Sequence, residues 1–169
     1  MSQADIIETT QYLTFKLDDE VFALDISKIR EVLDFTSITR VPRTPEFMRG
    51  VINLRGSVVP VVDLRLKFGM AKTKKTVNTC IIITEVTVDN VTTVVGALAD
   101  SVQEVLDLRP DHIEPAPKIG TRLNTVFIKG MGKRDNNFII ILDIDKVFST
   151  DELALVQTGQ AEAPQPPAE

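Results

Sequence analysis

The chain has 169 residues, 43% of them hydrophobic and 5% aromatic, with no Trp, one Cys and a formal net charge of −5. That length supports one or two small cores, which Val, Ile and Leu must build in place of large aromatics. Residues 1–70 carry 9 basic and 10 acidic side chains, residues 71–148 carry 10 of each, and the last four acids follow Phe148. The folded part is therefore near neutral, which argues against a general nucleic-acid binder. Cys80 has no internal disulfide partner and, inside the apolar run CIII, is expected to be buried and reduced. No apolar run approaches the roughly 18 residues of a membrane span. The start MSQADIIETT is acidic and polar, unlike a secretory signal, so a soluble cytoplasmic protein without membrane insertion is expected.

In chain order, short β-type runs alternate with turn signals. Gln11–Leu17 and Val21–Leu24 make a first hairpin around LDDE. Ile26–Val32 reads as a helical turn or two, Ile38–Val41 as a short strand, and Thr44–Arg49 as a helix start because Thr and Pro open it. Gly50–Leu54 and Ser57–Val62 form a second hairpin, turned at Arg55–Gly56. Pro60 cannot donate to a ladder, which predicts an edge strand or a bulge there. Asp63 ends that strand and is placed to cap a helical turn at Leu64–Phe68. Lys72–Lys75 reads as a solvated linker. Cys80–Val88 with Val91–Ala99, and Val126–Met131 with Asn137–Leu142, are two further hairpins. Ser149–Val156 reads as a C-terminal helix with a capping signal in STDE. AEAPQPPAE at the end is Pro-rich and polar, so residues 1–10 and 159–169 are expected to be flexible.

An internal repeat sets the architecture. RGVINLRGSVVPVVDLRLKFG, from Arg49, aligns without a gap on KGMGKRDNNFIIILDIDKVFS, from Lys129, 80 residues later. EVLD occurs at Glu31–Asp34 and again at Glu104–Asp107, and ITRVP, from Ile38, parallels IEPAP, from Ile113. Three matches in one order point to duplication. Each unit is about the size of a five-stranded barrel. The expectation is an all-β protein of two similar barrels, subdomain 1 at about 11–71 and subdomain 2 at about 77–148, with a short C-terminal helix at 149–156.

The sequence holds little that a catalyst would use. His112 is the only histidine, so triads and common metal sites lack their parts, and a solvent-exposed loop position explains it. GMGK at Gly130 lacks the spacing of a phosphate-binding loop. Asp63 and Asp143 recur by duplication, and helix capping accounts for both better than an acid-catalyst pair does. Phe35–Gly56 carries Arg40, Arg43, Arg49 and Arg55 against Glu46 alone, a basic and apolar strip suited to a protein interface. The alternative for Arg55 is an ion pair on its own barrel, with Glu31 as the partner. An enzyme with a carboxylate pair and a nucleic-acid-binding β-barrel are the remoter readings.

FALDISKIREV, ITRVPRTPEFMRGVINLRGSVVPVVDLRLKFG, VVGALADSVQEVLDL, IEPAP and FIKGMG together strongly resemble the CheW family of chemotaxis adaptors, over roughly Gln11–Leu155. The resemblance implies a single domain of two SH3-like five-stranded β-barrels. It also implies a non-catalytic adaptor without a cofactor, which couples chemoreceptor cytoplasmic tips to the regulatory domain of the histidine kinase CheA. A related receptor–kinase pathway, such as surface motility or a second-messenger output, is the alternative. The receptor-facing residues it implies are Ile29, Glu31, Val32, Gly50, Asn53, Leu54, Arg55 and Gly56. The kinase or array contact it implies lies at Glu114 and Ile119. For the first barrel's kinase contact, Val21–Leu24 and Ile38–Val41 are the plausible strands.

Overall fold

The computed structural model describes residues 9–115, 127–134, 136–149, 151 and 152. Its elements run β1 (Thr10–Leu17), β2 (Glu20–Asp25), β3 (Ile29–Asp34), β4 (Met48–Leu54), β5 (Ser57–Asp63), α1 (Leu64–Lys67), β6 (Cys80–Val88), β7 (Val91–Ala99), β8 (Ser101–Leu108), β9 (Ile113–Glu114), β10 (Ile128–Arg134), β11 (Asn137–Leu142) and α2 (Ile144–Val147). All four expected hairpins are present. β8, which carries the second EVLD, is a strand the turn signals did not mark out. Thr44–Arg49 is no helix: the chain turns at Glu46–Phe47 and enters β4 at Met48. A single 3-10 turn at Ile26–Lys28 replaces the helix expected over Ile26–Val32, because β3 starts at Ile29 and alternates in burial. Ile38–Val41 reduces to one bridge, Thr39 to Val51.

The strands form two sheets, in the orders β3-β6-β7-β5-β4 and β8-β1-β2-β11-β10-β9. Each curls on itself. Glu31 on β3 pairs with Arg55 at the tip of the hairpin that ends in β4, so the two edges of the first sheet meet. Glu104 on β8 pairs with Arg134 on β10 in the second.

The repeat holds strand for strand. β4, β5 and α1 map onto β10, β11 and α2 at the 80-residue offset, down to the register shifts at Met48/Gly50 and Ile128/Gly130. The bridge Thr39–Val51 maps onto the β9 pair Glu114–Met131. The barrels do not, however, follow the contiguous division at about 71–77. The first contains β3, β4 and β5 with the hairpin β6–β7. The second contains β8 to β11 with the hairpin β1–β2. β5 runs parallel to β7, and β11 runs parallel to β2. The two repeats have thus exchanged their first hairpins. The chain steps between sheets over three residues, Ile26–Lys28, and again over Asp100 alone.

Alternation along the strands sorts the apolar residues into three clusters. Ile52, Val59, Val61, Ile81, Ile83 and Leu98 fill the first barrel. Tyr12, Ala23, Leu108, Ile139 and Ile141 fill the second. Their strand neighbours, including Leu13, Leu24, Val62, Ile82 and Leu142, face a third and larger cluster between the barrels. This explains why VVPVV is apolar on both faces. Four phenylalanines mark the symmetry of the junction: Phe47 lies 5.6 Å from Phe148, and its counterpart Phe127 lies 5.8 Å from Phe68.

Pro60 is not on an edge, since β5 lies between β7 and β4. Val51, opposite Pro60, turns its N–H and C=O toward Thr39, each at 2.8 Å. The missing Pro60 N–H therefore points to the other side, where pairing with β7 begins only at Val61. The bulge lies on the partner strand, at Arg49.

Candidate functional site

The β4–β5 turn is tight. Asn53 Oδ1 accepts the Gly56 N–H at 2.8 Å. Both central residues have positive φ, Arg55 at 51° and Gly56 at 89°, the pattern of a type I′ hairpin. Glycine adopts that geometry at no cost, but an arginine there is uncommon. The Arg55 guanidinium forks onto both carboxylate oxygens of Glu31. The pair forms, as the structural alternative for Arg55 required, yet it is not internal: the Arg55 side chain is 69% exposed and that of Glu31 29%. The hydrogen bond from Arg55 holds the Glu31 carboxyl below its ordinary value and holds the guanidinium above its own.

A bulge at Arg30 splits the implied residues of β3 between two faces. Glu31 lies opposite Ile83, an interior residue of the first barrel, and opens at the barrel mouth beside Arg55. Ile29 and Val32 lie opposite Thr84 and Ile82 and face the barrel junction, where Ile29 packs on the central cluster and Val32 stays 40% exposed. Asn53 and Leu54 complete the hairpin tip. Gly50 is buried and offers no surface of its own. A Cβ there would stand 2.1 Å from the Thr39 carbonyl oxygen, so Gly50 lets the 38–41 segment lie on β4. The structure thus joins Glu31, Asn53, Leu54, Arg55 and Gly56 at one tip and sets Ile29 and Val32 on an adjoining wall.

The second barrel carries a matching arrangement. By the EVLD repeat, Glu104 and Val105 are the counterparts of Glu31 and Val32. Val105 is exposed, and Glu104 is paired with Arg134. The preceding Val102 packs on the same central cluster as Ile29. Cys80, at the start of β6, brings its thiol to the Val102 backbone and donates to the Asn78 carbonyl at 3.0 Å. Cys80 is half-buried, not enclosed as expected, and burial pushes its thiol pKa up. Val105 escaped the functional reading of the sequence, although the repeated EVLD was the signal that could have found it.

Glu114 is exposed on β9 and pairs with Lys133 at 2.6 Å. Ile119 lies outside the described residues. The expected capping by the two repeated aspartates is present: Asp63 accepts from Arg65 N at 3.1 Å and Asp143 from Asp145 N at 3.2 Å. Among the described residues, no cluster of His, Cys, Asp and Glu could hold a metal ion, and no helix is long and apolar enough to cross a membrane.

Residues 11–152 match the model of the CheW-like domain. The chain belongs to the CheW family. Among curated CheW relatives, the chemotaxis protein CheW of Klebsiella aerogenes is 37% identical over 146 residues, 86% of each chain. That of Thermotoga maritima is 33% identical over 148 residues, 86% of this chain and 91% of its own. The crystal structure of the scaffolding protein TtCheW from Thermoanaerobacter tengcongensis superposes with a TM-score of 0.76 at 35% identity, covering 90% of this chain and 96% of that one. The all-β, SH3-like fold expected of a CheW-like domain is the fold observed.

Proposed function

We propose that this chain is a non-catalytic chemotaxis adaptor that couples chemoreceptor cytoplasmic tips to the regulatory domain of the histidine kinase CheA. It acts in the cytoplasm, and it reaches the membrane through its receptors. Its relatives are a chemotaxis protein and a scaffolding protein. The observation that carries the receptor half of this reading is the Arg55–Glu31 pair. It fixes a largely exposed guanidinium at a rigid hairpin tip. A planar donor preset in this way loses little entropy when a carboxylate or carbonyl partner arrives. The apolar wall of Ile29 and Val32 beside it supplies area to desolvate.

Titration of a receptor tip fragment against Arg55→Ala tests this. Affinity falls roughly ten- to a hundredfold while the melting temperature holds. A lowered melting temperature with unchanged binding by the folded protein removes Arg55 from the interface. For the kinase half, Ile119→Ser weakens array assembly and spares binary receptor binding. A pull-down that recovers neither receptor nor kinase rejects the adaptor reading.

A further inference from the structure

The EVLD repeat carries a backbone irregularity with it. On β3 the extra residue Arg30 parts Ile29 from Glu31, and on β8 Gln103 and Glu104 stand opposite Thr14 alone. Thr14 fills that break, donating its hydroxyl to the Glu104 carbonyl at 2.8 Å and accepting the Glu104 N–H at 3.1 Å. Val102 and Val105 therefore lie opposite Phe15 and Leu13, two residues of the central cluster, and face the barrel junction as Ile29 and Val32 do. Val32 is 40% exposed and Val105 47%. The two walls adjoin: Cys80, paired with Asp34 of β3, brings its thiol to the Val102 backbone, and Ile29 and Val102 pack on the same cluster.

Each wall ends beside a glutamate held by an arginine of a hairpin: Glu31 by Arg55, and Glu104 by Arg134. The contacts between the barrels are reciprocal, Phe47 on Phe148 and Phe68 on Phe127, as an approximate two-fold axis requires. Arg55 and Arg134 thus stand on opposite sides of that axis. The second arginine is not a relic of the duplication. The residue that aligns with Arg55 is Asp135, and Arg134 occupies the counterpart of Leu54. The pairing recurs although the position that supplies it has moved by one. It does little for the fold, because the Arg134 and Glu104 side chains are 39% and 45% exposed, and exposed pairs add little stability.

We infer that Arg134 is a second receptor-contacting guanidinium, which binds a carboxylate or carbonyl group of the same receptor tip across the axis from Arg55. The inference rests on the receptor reading of Arg55. Ile29 and Val32 alone are too small to hold a partner, since a specific interface takes roughly 20–30 residues a side. A tip seated on their wall extends onto the adjoining wall of Val102 and Val105, and Arg134 stands at the end of that wall through its bond to Glu104. Two guanidiniums then read one partner, one from each barrel, and set its orientation as well as its affinity.

Titration of the receptor tip fragment against Arg134→Ala, Arg55→Ala and the double variant tests this. Arg134→Ala lowers affinity about tenfold, makes binding less sensitive to salt and leaves the melting temperature unchanged. The double variant weakens binding by about the product of the two single losses, because the arginines act at separate places. Full affinity in Arg134→Ala beside a loss in Arg55→Ala overturns this inference and leaves the receptor reading standing. So does a double variant no weaker than Arg55→Ala, or a lowered melting temperature with unchanged binding by the folded protein. An equal loss in Arg109→Ala, whose exposed pair with Asp111 makes it a control for net charge, does the same. An unaltered chain that fails to bind the tip overturns both readings.

Discussion

The two copies of the hairpin–helix unit, β4–β5–α1 and β10–β11–α2, share a backbone and differ in what holds it. In the first, Asp63 is fully buried. Besides capping α1 it accepts from Arg49 at 3.1 Å and from the Thr73 N–H and hydroxyl at 2.9 and 2.7 Å. These bonds pin residues 72–75, expected to be a free linker, onto the first barrel. In the second copy Asp143 is partly exposed and meets Lys146 only at 3.9 Å. The same aspartate at the same register is a buried hub in one barrel and a surface cap in the other. Capping accounts for the shared residue, and the partners each barrel recruited account for the difference.

Breaking each aspartate should separate these roles. Asp63→Ala strands the mostly buried Arg49 and two Thr73 donors and lowers unfolding free energy by about 3–5 kcal/mol. Asp143→Ala removes a cap and costs about 1 kcal/mol. Urea denaturation of both variants measures the contrast, and equal losses would refute it. The paired glycines give a smaller contrast. Gly50→Ala drives a Cβ to 2.1 Å from the Thr39 carbonyl oxygen at φ 144°, whereas at Gly130 the nearest atom is the Ile113 side-chain Cγ2 at 2.5 Å and the corresponding Glu114 carbonyl oxygen stands off at 3.0 Å. Costs of about 3 and about 1 kcal/mol follow, since a side chain can shift where a carbonyl cannot.

The smallest effect is in acid. The Glu31 carboxyl titrates below 4.5 in the folded protein because Arg55 binds it. Its contribution is fully present above pH 4.5 and is lost as pH falls through the depressed value. Glu31→Gln therefore loses that small contribution at neutral pH, matches the unaltered protein below the depressed value, and so flattens the acid limb of the stability curve. Thermal melts between acid and neutral pH check this. An unaltered acid limb would mean that the Arg55–Glu31 pair does not hold in solution.

Hairpins, duplication and both caps were legible because turn chemistry and period-two alternation are local. The hairpin exchange was not. β1–β2 and β6–β7 have the same alternation, and either barrel satisfies their pattern. Pro60 was misjudged for a related reason: its missing donor matters only toward a strand more than 30 residues away in sequence. At the site, NLRG gave the turn and its arginine. The split of Ile29 and Val32 from Glu31 depends on a one-residue bulge that nothing in IREVLD announces. The C-terminal helix expected over 149–156 is described only to Glu152, where its capping box is in place.

The exchanged hairpins also set an order of assembly during synthesis. β1 and β2 are made first, but every strand they pair with beyond each other begins at Ser101 or later. The first barrel has all its strands once Ala99 has left the ribosome. The oldest hairpin of the nascent chain waits through the making of its neighbour, with Phe15, Phe22 and Leu24 uncovered and two open edges. Such a delay invites mispairing with other chains. The aromatic step from Phe22 to Phe68, at 5.9 Å, gives the waiting hairpin a surface on the completed barrel before its own sheet exists. The barrel finished first is thereby the template on which the barrel begun first is closed.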